Sequence, residues 1–303
     1  MDIDEFLQKL EKYKSKDTPK GIFRFEKGQG ENIVILCCVH GNETIGLDVM
    51  RELIPILYNK MQLGIVTIIL VNIYAVMQNV RFINQDMNRI LSENLILNIK
   101  NKTKKNNEEE RLLEILPFIE NCDILLDIHS TIMPSTPFIY CKKSDKHFKI
   151  AELFDTEFIV SPGLNLSKND IDIFSSFDSF ADRSGGIGIT VESGMIGGEI
   201  SPLNRIISLL KLRNIIKNNA NDKILKFHNK SQIKLEIYSK ITAKTNNFSF
   251  NGDIKNFQFY HKNDVFAKDG VENLKIMEDS FVIFPKKNIK IGDMCCFLVR
   301  KYE

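Results

Sequence analysis

A histidine and a glutamate three residues apart, in the string His40-Gly41-Asn42-Glu43, directly follow the apolar run Ile33–Val39. An imidazole and a carboxylate so spaced on one turn can grip a single cation, and zinc suits that pair of donors. A second apolar run, Ile124-Leu125-Leu126-Asp127-Ile128, ends on His129. One strand-end histidine is ordinarily a hydrogen-bonded structural residue. Two at equivalent positions, with Glu43 beside one, form a His2Glu set with a long gap before the last ligand. Three ligands with one open position is the pattern of catalytic zinc, whose bound water has its pKa lowered to about 7. Asp127 lies two residues before His129, on the same face of a strand. It either orients that histidine from behind or is a buried aspartate satisfied by backbone N–H groups.

Two further groups have suitable chemistry. The block Asn72-Ile73-Tyr74-Ala75 is followed by Arg81-Phe82-Ile83-Asn84-Gln85-Asp86-Met87-Asn88-Arg89. Arginine suits planar recognition of carboxylates, so Arg81, Asn88 and Arg89 could bind a substrate carboxylate and stabilise an oxyanion. Arginines in a loop also serve simply as exposed salt-bridge partners. Glu192 ends the run Gly188–Val191, just before Ser193-Gly194. Beside a metal site a carboxylate there is a candidate general base; otherwise it is a capping or strand-end glutamate.

The elements that must position these residues alternate. Apolar runs at Ile33–Val39, Ile65–Val71, Ile124–His129 and Gly188–Val191 read as buried strands. Helical spacing marks Ile3–Tyr13, Ile45–Leu57, Glu108–Ile119 and Pro202–Asn218. Such alternation predicts an α/β sheet with helices on its faces. Every candidate residue then lies beyond the carboxyl ends of strands, where open α/β sheets gather ligands. From about Lys230 the texture turns β-rich, with strands at Ile233–Ile237 and Cys296–Val299 and turns at Asn251-Gly252 and Asp269-Gly270. This places a boundary near residue 228, with the candidate residues in a domain over 1–228 and a small β-rich domain over 229–303. The basic stretch from Lys100 to Asn107 reads as a solvated loop rather than a phosphate site.

Composition narrows the function classes. A net charge of +2 over 303 residues gives no strong attraction to nucleic acid or membranes. No run approaches 18 apolar residues, and the acidic start Met1-Asp2-Ile3-Asp4-Glu5 lacks the apolar core of a signal peptide. The six cysteines, at 37, 38, 122, 141, 295 and 296, form neither a disulfide framework nor a C-x-x-C site. They read as small core residues in a reducing compartment, so a cytoplasmic location is expected. Strand alternation places Cys37 and Cys38 on opposite faces.

The motifs together resemble the succinylglutamate desuccinylase/aspartoacylase family of zinc carboxypeptidase-like amidohydrolases. The matching pieces are His40-Gly41-Asn42-Glu43-Thr44, Asn72…Ala75, Arg81…Asp86-Met87-Asn88-Arg89, Asp127-Ile128-His129 and Thr190-Val191-Glu192-Ser193-Gly194. Further matches occur at Phe281–Pro285, Ile291-Gly292-Asp293 and Phe297-Leu298-Val299. The resemblance implies a carboxypeptidase-like α/β/α sandwich followed by a small β-rich C-terminal domain that crowds the active-site mouth. It implies one Zn2+ per chain held by His40, Glu43 and His129. Arg81 would then polarise the scissile carbonyl, Asn88 and Arg89 would hold the substrate's carboxylate, and Glu192 would be the base. Arg183 resembles an arginine that aspartoacylases use for a second carboxylate. The run Ser130-Thr131-Ile132-Met133-Pro134-Ser135 departs from the family. It has neither the arginine of desuccinylases nor the Asn-Thr-Thr of aspartoacylases, so the resemblance does not name the substrate.

The expected activity is hydrolysis of the amide of a small N-acyl amino acid, with the sequence admitting a homo-oligomer. A carboxypeptidase acting on a short peptide or cell-wall fragment would use the same residues in a longer cleft. A catalytically silent zinc-containing binding protein would more often have lost Glu192 or Arg81.

Overall fold

The apolar runs form strands because helices cover them on both faces. The computed structural model describes residues 2–15, 17–163, 175–217 and 232–302. Its first seven strands are β1 (Ile22–Lys27), β2 (Asn32–Cys37), β3 (Gly64–Leu70), β4 (Ile124–Thr131), β5 (Phe138–Cys141), β6 (Phe158–Pro162) and β7 (Ile187–Met195). In β2, Ile33, Ile35 and Cys37 enter one hydrophobic cluster, and Val34 and Leu36 enter another. That is the period of two of a strand buried on both sides.

Helices α1 (Ile3–Leu10), α2 (Ile45–Lys60), α3 (Ile73–Gln78), α4 (Glu93–Asn101), α5 (Asn107–Ile119), α6 (Asp145–Ala151), α7 (Phe177–Arg183) and α8 (Leu203–Leu212) make the outer layers. Residues of α1, α2, α6 and α8 pack in the first cluster, and residues of α4, α5 and α7 in the second. The expected α/β/α sandwich is therefore present. The helix expected to reach Asn218 stops at Leu212. Asn214 turns left-handed at φ 56° and Ile216 pairs with Met61 as a bridge, which releases the chain from the helix.

Strands β3, β2, β4 and β7 lie side by side and parallel, with β1 antiparallel at the outer edge. The chain leaves β2 for β3 on one side and later returns to β4 on the other. This is a topological switch point, and the crevice beyond the carboxyl ends there is where such sheets bind ligands. Pairing of Cys37 with Ile128 sets the ends of β2 and β4 level.

The remaining strands are β8 (Ile233–Thr242), β9 (Phe248–Phe250), β10 (Gln258–Tyr260), β11 (Val265–Asp269), β12 (Glu272–Lys275), β13 (Ser280–Ile283) and β14 (Met294–Lys301). The first of them continues the central sheet, for β8 pairs in parallel with β6, and β14, β13 and β10 follow in antiparallel order. Among the described residues the large sheet thus has eleven strands, and β12-β11-β9 form a small separate one. The boundary expected near residue 228 lies outside the described residues. Among the described residues, no helix is long and apolar enough to cross a membrane.

All six cysteines are buried and unbonded to one another. The opposite-face expectation for Cys37 and Cys38 does not hold. Cys38 stands just past β2 at φ 57°, which breaks the alternation and turns both side chains into one cluster. The turn that begins there passes tightly beneath α3. A Cβ on Gly41 would lie 2.1 Å from the Ala75 carbonyl carbon and 2.3 Å from the Val76 nitrogen. Gly41→Ala should therefore lower the urea midpoint by an amount worth on the order of 1–3 kcal/mol. An unchanged midpoint would show that the turn has room to move.

Candidate active site

The turn after β2 and the end of β4 bring three donors together. Ligand atoms of His40, Glu43 and His129 all lie within 4.8 Å of one another, and all three side chains are buried. The Glu43 carboxylate sits between the rings. Its Oε1 is 2.8 Å from His40 Nδ1, and its Oε2 is 2.9 Å from His129 Nδ1. Ser130 N also donates to Oε2, at 2.9 Å.

Each ring has a second carboxylate behind it. His40 Nε2 lies 3.1 Å from Asp86 Oδ1, and His129 Nε2 lies 2.7 Å from Asp127 Oδ2. In this network each Nδ1 donates to the Glu43 carboxylate. The tautomer that metal binding requires is the other one, with the proton on each Nε2 given to the outer carboxylate and both Nδ1 lone pairs free. Two imidazole nitrogens and a carboxylate oxygen, backed in this way, fit a borderline divalent cation. Of the two readings of Asp127, orientation of His129 is the one the geometry takes.

Charge follows the same pattern. Burial pushes the Glu43 carboxyl up, but His129 and His40, through charge and hydrogen bonds, outweigh it and hold the group well below the usual carboxylate range. Burial opposes ionisation of Asp86 as well, and His40, Arg81 and Arg89 overcome it. His129 would be lowered by burial, yet Asp127 and Glu43 raise it well above an ordinary histidine.

Glu192 behaves oppositely. It pairs with His129 across β4 and β7, so it stands one strand spacing from the cluster. Burial lifts its carboxyl to about 7; Glu43 and Asp127 add to the rise, while His129 and His40 oppose it. Its Oε2 is buried without a hydrogen-bond partner among the described residues. A carboxyl near neutrality with an unused oxygen is suited to moving protons.

Arg81 reaches the cluster: Nη1 donates to Glu43 Oε1 at 3.3 Å and Nη2 to Asp86 Oδ2 at 3.2 Å. Arg89 is exposed, with Nη1 donating to the Asn88 carbonyl at 2.8 Å. Asn88 is placed behind the donors. Its amide nitrogen lies 3.3 Å from Asp127 Oδ2 and 3.2 Å from His129 Nε2, and its oxygen accepts Phe177 N at 3.1 Å. With Nε2–H given to Asp127, the Asn88 N–H goes to the same carboxylate.

Arg183 is not brought to the cluster. It ends α7, on the chain that enters β7 from the edge opposite Glu192, and its Nη2 donates to the Leu91 carbonyl at 2.8 Å. Sequence reasoning assigned no role to Asp86, the carboxylate behind His40. The only signal was an acid between two arginines, and 46 residues separate it from its partner.

A donor set for one cation, an arginine at its edge and a carboxyl poised near neutrality are the parts of a hydrolytic centre. Residues 29–207 match the family model of the succinylglutamate desuccinylase/aspartoacylase catalytic domain, and the chain belongs to that family. It is 23% identical over 297 residues to succinylglutamate desuccinylase of Shewanella woodyi, covering 91% of this chain and 84% of that one. The structure of succinylglutamate desuccinylase from Vibrio parahaemolyticus superposes with a TM-score of 0.72 at 20% identity, covering 94% of this chain and 87% of that one. A succinylglutamate desuccinylase/aspartoacylase from Rhodobacter sphaeroides gives 0.68 at 17% identity, covering 93% and 89%. These structures share its fold.

Two outcomes follow from the network. Asp127→Asn should weaken metal binding about 10- to 100-fold in a chelator competition, because the amide cannot hold the His129 tautomer. An affinity equal to wild type would remove Asp127 from the site. Glu192 has a raised folded-state pKa, so its protonated form is the stable one. The metal-free protein should lose stability as pH rises from about 4.5 to about 7. Glu192→Gln should flatten that slope and gain on the order of 2 kcal/mol above pH 7, which urea unfolding across pH would read.

Proposed function

We propose that this protein is a zinc-dependent amidohydrolase that removes the acyl group from a small N-acyl amino acid. The observation that carries this reading is the near-neutral carboxyl of Glu192, whose Oε2 has no hydrogen-bond partner among the described residues, next to the buried His40–Glu43–His129 set. Family membership supports it, since the relatives named above are desuccinylases.

Zinc held by His40, Glu43 and His129, one ion per chain, would supply Lewis acidity to the water and the scissile carbonyl. The chain's own residues do the rest. Glu192 takes the proton of the attacking water and passes it to the departing amine nitrogen, so that water and amide become a carboxylic acid and a free amino acid. The Arg81 guanidinium donates to the carbonyl oxygen as negative charge builds there. Arg89, exposed and acting with Arg81 on the charge of Asp86, takes the substrate's carboxylate, which turns binding energy into orientation. Asn88 acts from behind His129, through Asp127, rather than on the substrate. No role is assigned to Arg183. With six unpaired buried thiols, we place the enzyme in the cytoplasm.

Glu192→Ala should keep one zinc per chain and lose a hundredfold to ten-thousandfold in kcat on the order expected for a general base. Near-normal turnover in that variant would take Glu192 out of the mechanism. The substrate panel is N-succinyl, N-acetyl and short-peptide amides, each with zinc present and chelated. Cleavage of N-acyl amino acids alone, lost on chelation, is the expected result; cleavage of the peptides alone would make the protein a carboxypeptidase.

A further inference from the structure

The loop between α3 and α4 has functional residues on both sides of its middle, and that middle is held by a carboxylate that the mechanism does not use. Glu108 lies in the first turn of α5 and is fully buried, at 0% exposure. Its Oε1 accepts Ile83 N at 2.7 Å and Asn72 Nδ2 at 3.3 Å, and its Oε2 accepts Asn84 N at 3.1 Å. Ile83 and Asn84 stand midway between Arg81 and Asp86. Both of those close on the metal-donor cluster, one on Glu43 and the other on His40. Gly41 N donates to the Arg81 carbonyl at 3.1 Å, so the loop is also tied to the turn that carries His40 and Glu43.

The helix holding Glu108 is itself clamped to the sheet. Arg111, three residues on and thus on the same helix face, donates through Nε to the Val71 carbonyl at 2.9 Å and through Nη2 to the Leu70 carbonyl at 2.7 Å. Those carbonyls close the carboxyl end of β3. One turn of α5 therefore gives hydrogen bonds to the end of β3 and accepts them from the loop. A negative charge in the first helical turn is also where the helix field favours it.

We infer that Glu108 is a positioning residue, which fixes the Arg81 guanidinium at the place where the carbonyl oxygen becomes negative. This rests on the reading of Arg81 given above. Binding two successive N–H groups defines the backbone of the loop, whereas a flexible loop would leave Arg81 a long side chain on a moving base. Misplacement of such a group by about 1 Å can cost a hundredfold in rate. An isosteric amide at 108 keeps one acceptor and turns an N–H donor toward a backbone N–H.

The test is a double-mutant cycle. Glu108→Gln alone should lower kcat about 10- to 100-fold, with KM within about threefold and the bound zinc unchanged. In an Arg81→Ala background the same change should cost less than about threefold, because the group it positions has gone. Equal losses in both backgrounds, or no loss in the single variant, would overturn the proposal. Glu108→Asp, which keeps the charge on a shorter arm, takes the place of Glu108→Gln in the same cycle if the amide variant does not fold. Amide hydrogen exchange supplies a readout that needs no substrate. Glu108→Gln should speed exchange at Ile83 and Asn84 by at least about tenfold while the β2 and β4 amides keep their protection. Unchanged exchange overturns the inference even if the enzyme is active; a wild type inactive on every N-acyl amino acid overturns the function and leaves the exchange result standing.

Discussion

The site is organised around one buried charge, the carboxylate of Glu43. A charge taken out of water and left unpaired costs several kcal/mol, so its neighbourhood must answer it. His40, His129, Arg81 and the Ser130 amide all turn toward its two oxygens. The imidazoles then need partners on their far sides, which Asp86 and Asp127 supply. Four carboxyl groups thereby surround two imidazoles and one guanidinium. That imbalance is the electrostatic complement of a divalent cation, and the charges of Glu43 and Asp127 add to the burial that pushes Glu192 toward neutrality.

Such a cluster can form only where several chain segments end together. Four parallel strands deliver that, because their carboxyl ends share one edge and β2 and β4 flank the switch in strand order. Close backbone approach completes it. Gly41 lets the donor-bearing turn slide under α3, and the left-handed Cys38 redirects the chain immediately after β2. The loop from Val80 to Arg89 has no regular structure of its own apart from one short helical turn at Met87–Arg89. Its shape is therefore borrowed from α5, through Glu108 and from Arg111 to the sheet. Rigidity at the reacting centre comes from an element that never touches it.

Much of the architecture was legible along the chain. Long runs with a single strong period, such as Ile33–Val39 and Ile124–His129, have one stable solution, a strand covered on both faces. Short strands carry less information: β5 and β6, four and five residues long, have too few positions for a period to show. Helix ends were displaced where a left-handed residue such as Asn214 intervened, since a single φ leaves no periodic trace. Cys38 escaped the expected alternation for the same reason.

The candidate donors and Glu192 could be singled out in sequence because their spacing is tied to strand ends, which composition marks. His40, Glu43, His129 and Glu192 needed only the rule that parallel strands finish on one edge. What tertiary structure alone decided was the set of partners. Asp86 behind His40, Asn88 spent on Asp127, Glu108 holding the loop and Arg183 turned to the Leu91 carbonyl are all contacts between segments far apart in the chain. Local pattern records which face of an element is buried. It does not record which distant polar group will lie within 3 Å of a buried one, and hydrogen-bond satisfaction is settled only at that distance.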